Sequence, residues 1–502
     1  MATVKTYRPY APEQSYLLPP SPGEWLPKGH LAYFILDLVT ELDLGEIERR
    51  LQAKDHRGER PYAPRMMTAL LLYGYAVGVF SSRKLERACF EDVAFRVLAA
   101  GEQPHFTTIN EFRATHRATF ADLFQQVLKL CMSAGLVKLG HVAIDGTKMK
   151  ANASKHKAMS HERMVKEEAR LKAEVEQLIS QAEAVDAAED KLYGVGQQPQ
   201  DLPAELQRRE GRREKIRELR AALEKETAKA RAVELVGLAD DLRSKAAEAT
   251  TSPAQRETCT TRAAQHDQQA ADLDDDDPDP PAVDSDLPRN TPPADASGTP
   301  KPEAQRNFTD PESRIMKRDG GFLQAYNAQI AVDEGHQIIV AAALSNQAPD
   351  VQYFEPMLRR VVDNCNAVPV ITTGDAGYFS VENVRAAEHM GTEPLISVGG
   401  HHRNGLPDDS TPVLANLRTE ERAAMRARLT SPAGRAAYAR RKATVEPVFG
   451  QIRACRGFRQ MSLRGLVKAR CEWLLVCATH NLLKLWRAVT RPVTASTAVA
   501  VA

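Results

Sequence analysis

Two apolar runs, far apart in the chain, each close on an aspartate. The first is His141-Val142-Ala143-Ile144-Asp145-Gly146-Thr147 and the second Val368-Pro369-Val370-Ile371-Thr372-Thr373-Gly374-Asp375. Short runs rich in β-branched residues and bounded by glycine read as buried strands. Long polar, helical sequence separates them, so a sheet holding both must close around a large insertion. A third acid, Glu446, sits in Ala443-Thr444-Val445-Glu446-Pro447-Val448-Phe449-Gly450, in helical and basic surroundings. Two carboxylates from strand ends and one from a helix suit a pair of Mg²⁺ ions beside a phosphodiester, with Mn²⁺ as a substitute. On this reading Asp145 bridges the two ions, and Asp375 and Glu446 each hold one.

The net charge of +1 averages two opposed segments. Arg435 to Arg470 carries ten Lys or Arg and one acid, Glu446, whereas Asp272 to Asp286 carries eight Asp and no base. A basic patch beside an acidic tract is the asymmetry of a nucleic-acid binder with a solvated linker. The seven cysteines include no Cys-x-x-Cys pair, which points to idle thiols in a reducing compartment rather than a metal knot. With no signal-peptide core and no apolar run of membrane length, the expected location is the cytoplasm, with no membrane partner.

The chain divides into six expected parts. Residues 1–29 read as an extended, proline-broken arm. Residues 30–138 read as an all-α domain, with Leu31, Phe34, Ile35, Leu38, Val39 and Leu42 at helical spacing and a threonine cap expected ahead of Ile109. Arg113 in this part is a candidate DNA contact, beside His116 and Arg117. Residues 139–155 and 306–487 form the α/β part. Met164, Leu171, Leu178 and Val185 repeat every seventh position, a coiled-coil seam that makes residues 156–249 a helical hairpin. Residues 250–305 have a disordered, Pro- and Asp-rich composition, and 488–502 read as a disordered tail. Strands at 139–151, 326–332, 337–341, 368–375 and 395–398 alternate with helices after the insertion. This is the ribonuclease H-like order, a mixed five-stranded sheet in which the first and fourth strands are neighbours and would bring Asp145 and Asp375 together.

At 100° per residue, Lys442 and Arg453 fall on nearly the same helix face as Glu446, and Arg441 falls well off it. Pro447 implies a kink or a fresh helix start at Glu446. Of the competing acids, Asp333 opens the turn of a hairpin and reads as a turn former; Asp310 and Asp350 lie in the same half of the chain.

Four blocks resemble the DDE-type transposases of bacterial insertion sequences, in particular the insertion sequence eleven-eighty-two group, related to the insertion sequence four superfamily. They are Ala143-Ile144-Asp145-Gly146-Thr147-Lys148 with Ala151-Asn152-Ala153-Ser154; Tyr326-Asn327-Ala328-Gln329 with Val332-Asp333; Gly374-Asp375-Ala376-Gly377-Tyr378; and Val445-Glu446-Pro447-Val448-Phe449-Gly450 with Arg464-Gly465 and His480-Asn481-Leu482. The resemblance implies that Asp145, Asp375 and Glu446 are the catalytic, metal-holding triad. It also implies Mg²⁺ dependence and binding of terminal inverted repeats. The wider group carries a Tyr, Arg, Glu, Lys signature, for which Tyr438, Arg441, Glu446 and Arg453 are the candidates. Arg441 stands one residue too far from Glu446, Lys442 has the expected spacing, and an arginine replaces the last lysine. Lys148, Arg456 and Arg464 complete the expected DNA contacts. The expected function is DNA cleavage at element ends and strand transfer into target DNA, by a homodimer on double-stranded DNA. The alternatives are a nuclease of the same fold without strand transfer, or a non-catalytic DNA-binding derivative.

Overall fold

The computed structural model describes residues 21–53, 60–193, 204–247, 252–273, 287–318, 320–399 and 420–490. Residues 1–20 of the expected arm, residues 274–286 of the acidic tract and the tail beyond Thr490 lie outside them.

A mixed sheet is built around β1 (His141–Lys150). A small antiparallel pair, β2 (Ala158–Ser160) and β3 (Gln305–Asn307), stands apart from it. The main sheet continues with β4 (Arg314–Arg318), β5 (Gly321–Asp333), β6 (Ile339–Ser345), β7 (Ile371–Gly374) and β8 (Glu393–Ile396). β5 runs antiparallel along β1, with Val142 opposite Asp333 and Lys150 opposite Ala325. β7 runs parallel along the other edge of β1, with His141 opposite Ile371, and β8 runs parallel to β7. The first and fourth strands of the expected set are therefore neighbours. β4 and β6 occupy successive stretches of the far edge of β5, one strand more than the sequence reading held. β4 pairs antiparallel with β5, and Gly320, just ahead of β5, has φ +77°, a left-handed position that favours glycine.

All residues of β6 are buried. Its alanines, Ala341–Ala343, let α11 (Phe354–Cys365) and α15 (Leu466–Thr490) pack against it. At its start, Ile339 N donates to Asn481 Oδ1 and Asn481 Nδ2 donates to Ile339 O, both at 2.8 Å. That side-chain amide stands in for a missing strand partner at the sheet edge.

Helices α1 (Leu31–Glu41), α2 (Gly45–Gln52), α3 (Pro64–Val77), α4 (Ser82–Glu91), α5 (Val93–Leu98), α6 (Phe106–Thr115) and α7 (Arg117–Ser133) precede the sheet. The cap of α6 is His105, whose Nδ1 accepts from Thr107 N, rather than a threonine. These helices share one continuous hydrophobic core with the sheet, from Leu31 to Leu485, and α3 and α7 pack on α15. A buried polar chain joins the two parts: Arg113 donates to the Tyr75 hydroxyl (3.0 Å), which donates to Glu472 (2.9 Å).

The insertion is larger than a hairpin. α8 (His161–Tyr193) and α9 (Ala204–Ala247) run antiparallel, as the pairs Arg209–Glu174 and His161–Glu224 require. Met164, Leu171 and Ile216 share a small core with Met159. Residues 250–305 are not disordered throughout: α10 (Pro253–Leu273) packs on α9 through Ala232, Leu235 and Ala270. Its start is a capping box, with Gln255 N donating to Ser252 Oγ and Ser252 N donating to Gln255 Oε1 (3.1 Å). Composition alone hid this helix, because the acidic tract beside it dominated the average.

Glu226 of α9 fastens the insertion to the sheet region. It accepts from Arg306 of β3 (3.0 Å) and Arg314 of β4 (2.6 Å), both largely buried. Removing it leaves two poorly solvated cations facing each other. Glu226→Ala is expected to lower stability by about 1–3 kcal/mol in urea unfolding; an unchanged midpoint would show that the pair of arginines is solvated after all.

Three helices complete the region around the sheet: α12 (Val381–Met390), α13 (Glu420–Thr430) and α14 (Pro432–Gly450). No helix among the described residues is long and apolar enough to cross a membrane.

Candidate active site

Asp145 does not end its strand. β1 runs on to Lys150 because Gly146 to Lys150 continue the ladder with β5 and Met149 turns into the core. β7 instead stops at Gly374, one residue past Thr373, which lies opposite Ala143, and Asp375 follows at once. The Asp375 carboxylate caps the next turn, accepting from Gly377 N at 2.8 Å. The parallel pairing of β1 and β7 thus brings the two acids into one electrostatic neighbourhood.

Burial pushes the Asp145 carboxyl up, to about 6, against the pull of Arg441 and with added repulsion from Asp375. Arg441 Nη1 donates to Asp145 Oδ2 at 3.2 Å. The guanidinium is itself buried, and its Nε makes no hydrogen bond among the described residues. Behind the acids lies Tyr378, fully buried, its hydroxyl donating to Gln329 Oε1. Burial, followed by the negative fields of Asp145, Asp350 and Asp375, holds this phenol far above its usual range.

Asp350 is the acid the sequence reading passed over. Its Oδ1 accepts from Lys148 Nζ (2.9 Å), Asn327 Nδ2 (2.8 Å) and Gln329 Nε2 (2.8 Å). A Cβ on Gly146 would press on the Gln329 amide and lie 3.0 Å from Asp350 Oδ1, so a side chain here would displace the hydrogen-bonded end of Gln329. Asp350 therefore ties β1 and β5 together beside Asp145. The Asn327 and Gln329 alternation, two polar side chains on one face of an otherwise apolar strand, was the available signal.

α14 continues through Pro447 without restarting. The proline lacks the N–H that would bond Ala443 O, and Gln337 Nε2 donates to that carbonyl instead (2.9 Å). The stripe Ala437, Tyr438, Arg441, Thr444, Val445 and Val448 is buried, so Arg441 faces the sheet. This reverses the angular argument that preferred Lys442, which took Glu446 rather than the apolar stripe as its reference. Glu446 is exposed, one position off that stripe. After Gly450 a π-helical turn, Gln451–Cys455, changes the helical phase, and Arg453 Nη1 reaches Thr147 Oγ1 of β1 (3.3 Å). Among the described residues, no three His, Cys, Asp or Glu side chains lie close enough together to hold a metal ion.

The other expected DNA contacts divide. Tyr438 is buried and its hydroxyl donates to Gly374 O (3.4 Å), supporting the end of β7. Lys148 is spent on Asp350 and on Ala348 O (2.6 Å). Arg113 and Arg456 are buried, contrary to expectation. Arg113 also bonds Phe80 O (3.0 Å), and Arg456 bonds Thr479 Oγ1 (2.8 Å) and Val476 O (3.2 Å). Both are core cations held by carbonyl and hydroxyl groups. Arg464 is exposed. Asp333 serves its turn, accepting from Leu139 N (2.8 Å) and Gly335 N (3.2 Å).

Because the Asp145 carboxyl lies above its unfolded value near 4, the folded chain binds that proton more tightly than the unfolded chain does. The stability so gained is complete below about pH 4 and is lost as pH rises through about 6. Without divalent cations, wild type is therefore expected to lose roughly 2–3 kcal/mol relative to Asp145→Asn between pH 4 and pH 7. Urea unfolding of both at the two pH values checks this; parallel losses would contradict it.

Residues 409–486 match the family model described as transposase DDE domain, and residues 20–115 match that described as transposase domain (DUF772). Together the two matches support a DDE-type transposase. The first takes in α14 and most of α15, with Arg441, Glu446 and Arg453; the second takes in α1 to α6. Asp145 and Asp375 lie outside both. No curated protein and no solved structure matches the chain.

Proposed function

We propose that the chain is the transposase of a bacterial insertion sequence of the eleven-eighty-two kind. It would cut double-stranded DNA at the element's terminal inverted repeats and join the freed ends to target DNA. The observation that carries this reading is that Asp375, just past the end of β7, acts on the carboxyl of Asp145 in the neighbouring parallel strand β1. The strand order β6-β5-β1-β7-β8 supports a ribonuclease H-like sheet.

Asp145 and Asp375 are the hard oxygen donors that divalent cations take, and Glu446, exposed on α14, is not grouped with them among the described residues. A carboxyl pushed up by burial and by a second carboxylate gains most from a cation that both can share. Asp145, Asp375 and Glu446 would hold Mg²⁺, or Mn²⁺ in its place. Two such ions, when bound, activate the attacking oxygen and stabilise the leaving oxygen of a phosphodiester. The remaining work belongs to the protein. Arg441 offsets the Asp145 charge in the free chain. Arg453, from the π-turn, braces β1 two residues beyond Asp145. Tyr438 fixes the strand end from which Asp375 projects, and Asp350 keeps β1 and β5 in register.

Incubating the chain with a labelled terminal-repeat duplex, a target plasmid and Mg²⁺ tests the reading. Label joined to the plasmid supports strand transfer. Cut but unjoined duplex would reduce the chain to a nuclease, and uncut but bound duplex would leave a DNA-binding derivative.

A further inference from the structure

Where the insertion meets the sheet region, the fold gathers positive charge from segments distant in sequence. A cavity of about 620 Å³ is lined by Lys157 after β1, Arg163 of α8, Arg212 and Lys215 of α9, and Arg464 ahead of α15, and by no Asp or Glu. A second cavity of about 510 Å³ shares Lys157 and Arg464 and adds Lys150 and Lys155, again with no acid. Among the described residues, Lys150, Lys155, Lys157 and Lys215 make no ion pair. The floor is firm: Met159, Met164 and Ile216 pack together beneath it, with Phe308 against them. Cations converging on a concavity repel one another unless an anion fills it, and the low-dielectric walls strengthen their field there.

We propose that this double cleft is a site for the sugar-phosphate backbone of duplex DNA, gripped jointly by the insertion and the catalytic sheet. The proposal rests on the transposase reading and deepens it. Lys150 stands five residues beyond Asp145 on β1, about 16 Å at the rise of a strand. At 3.4 Å per base pair, a duplex whose scissile phosphate lies at the acids reaches the cleft about five base pairs away. The insertion thereby becomes part of the DNA grip rather than a spacer. The cations are exposed, point charges on long stems, suited to phosphates and not to reading bases.

The test is fluorescence anisotropy of a labelled terminal-repeat duplex with the full chain over a range of salt. It compares wild type, the triple variant Lys157→Ala/Arg163→Ala/Lys215→Ala, and Lys28→Ala as a distant control. Circular dichroism and the unfolding midpoint show that each is folded. The triple variant is expected to bind about tenfold or more weakly, and its dependence of log affinity on log salt to flatten by about two to three. The control is expected to match wild type. Unchanged affinity and slope in the triple variant, with wild type still binding and cutting, would overturn the cleft and leave the transposase reading standing. If wild type binds no duplex, both fall. An RNA duplex that competes as well as DNA would overturn the assignment of DNA as the occupant.

Discussion

Alanine at Asp145 or at Asp375 is expected to lower cleavage of a terminal-repeat duplex by at least about a thousandfold while duplex binding persists. Asp145 lies within β1 and Asp375 just past the end of the parallel neighbour β7, where its charge acts on the Asp145 carboxyl. Asp375 accepts from the backbone of its own turn, whereas Asp145 accepts from Gly146 N and from the buried Arg441. Loss of activity in Asp375→Ala would therefore reflect the missing carboxylate, not a collapsed sheet. Asp145→Ala also strands the buried Arg441, so the Asn variant is the better control for folding. Single-turnover cleavage with Mg²⁺, read beside anisotropy of the same duplex, separates chemistry from binding. Near wild-type cleavage in either alanine variant would remove that acid from the site.

Trp473→Ala is expected to cost about 3–5 kcal/mol, the largest loss of stability among single substitutions in the core. Trp473 is fully buried in α15, and its indole Nε1 donates to Gln329 O at 3.3 Å. Gln329 in turn holds Asp350 and Tyr378. The substitution opens a cavity behind the strand that backs the acids and frees the carbonyl that fixes it. Trp473→Phe keeps much of the volume and loses the hydrogen bond, so it is expected to fall between the two. Urea unfolding of the three proteins orders them; an alanine variant as stable as wild type would mean that α15 is not the buttress of the sheet.

How far the sequence could be read depended on the kind of signal. The β1 and β7 runs were legible because both strands are buried and continuous in apolar character, and their adjacency followed from element order. β4 was missed although Gly320 stands just ahead of its partner β5, since its alternation of Arg314, Met316 and Arg318 with exposed Ile315 disguises which face is buried. α10 was missed because its packing face is alanine, which adds little to an apolar pattern. Arg441 was misjudged by reference to the acid. Its place in the stripe from Ala437 to Val448 was present in the sequence, but an arginine inside a buried stripe makes sense only once a carboxylate is known to face it. Arg113 and Arg456 are the converse case. Each looks like a surface cation in sequence, and only the fold supplies the carbonyl groups and the Tyr75 hydroxyl that allow them inside. No local signal reports the basic cleft, because its walls come from four separated segments.

Glu446 carries the most direct test. It lies exposed on the helix whose Arg441 touches Asp145, and the account assigns it to the same cation site as the two aspartates. Mn²⁺ titration of the chain bound to its terminal-repeat duplex, followed by electron paramagnetic resonance, measures that site without relying on turnover. Tight Mn²⁺ binding is expected in wild type, lost in Asp145→Ala and in Asp375→Ala and clearly weakened in Glu446→Ala. Mn²⁺ binding that is the same in all four proteins would contradict it.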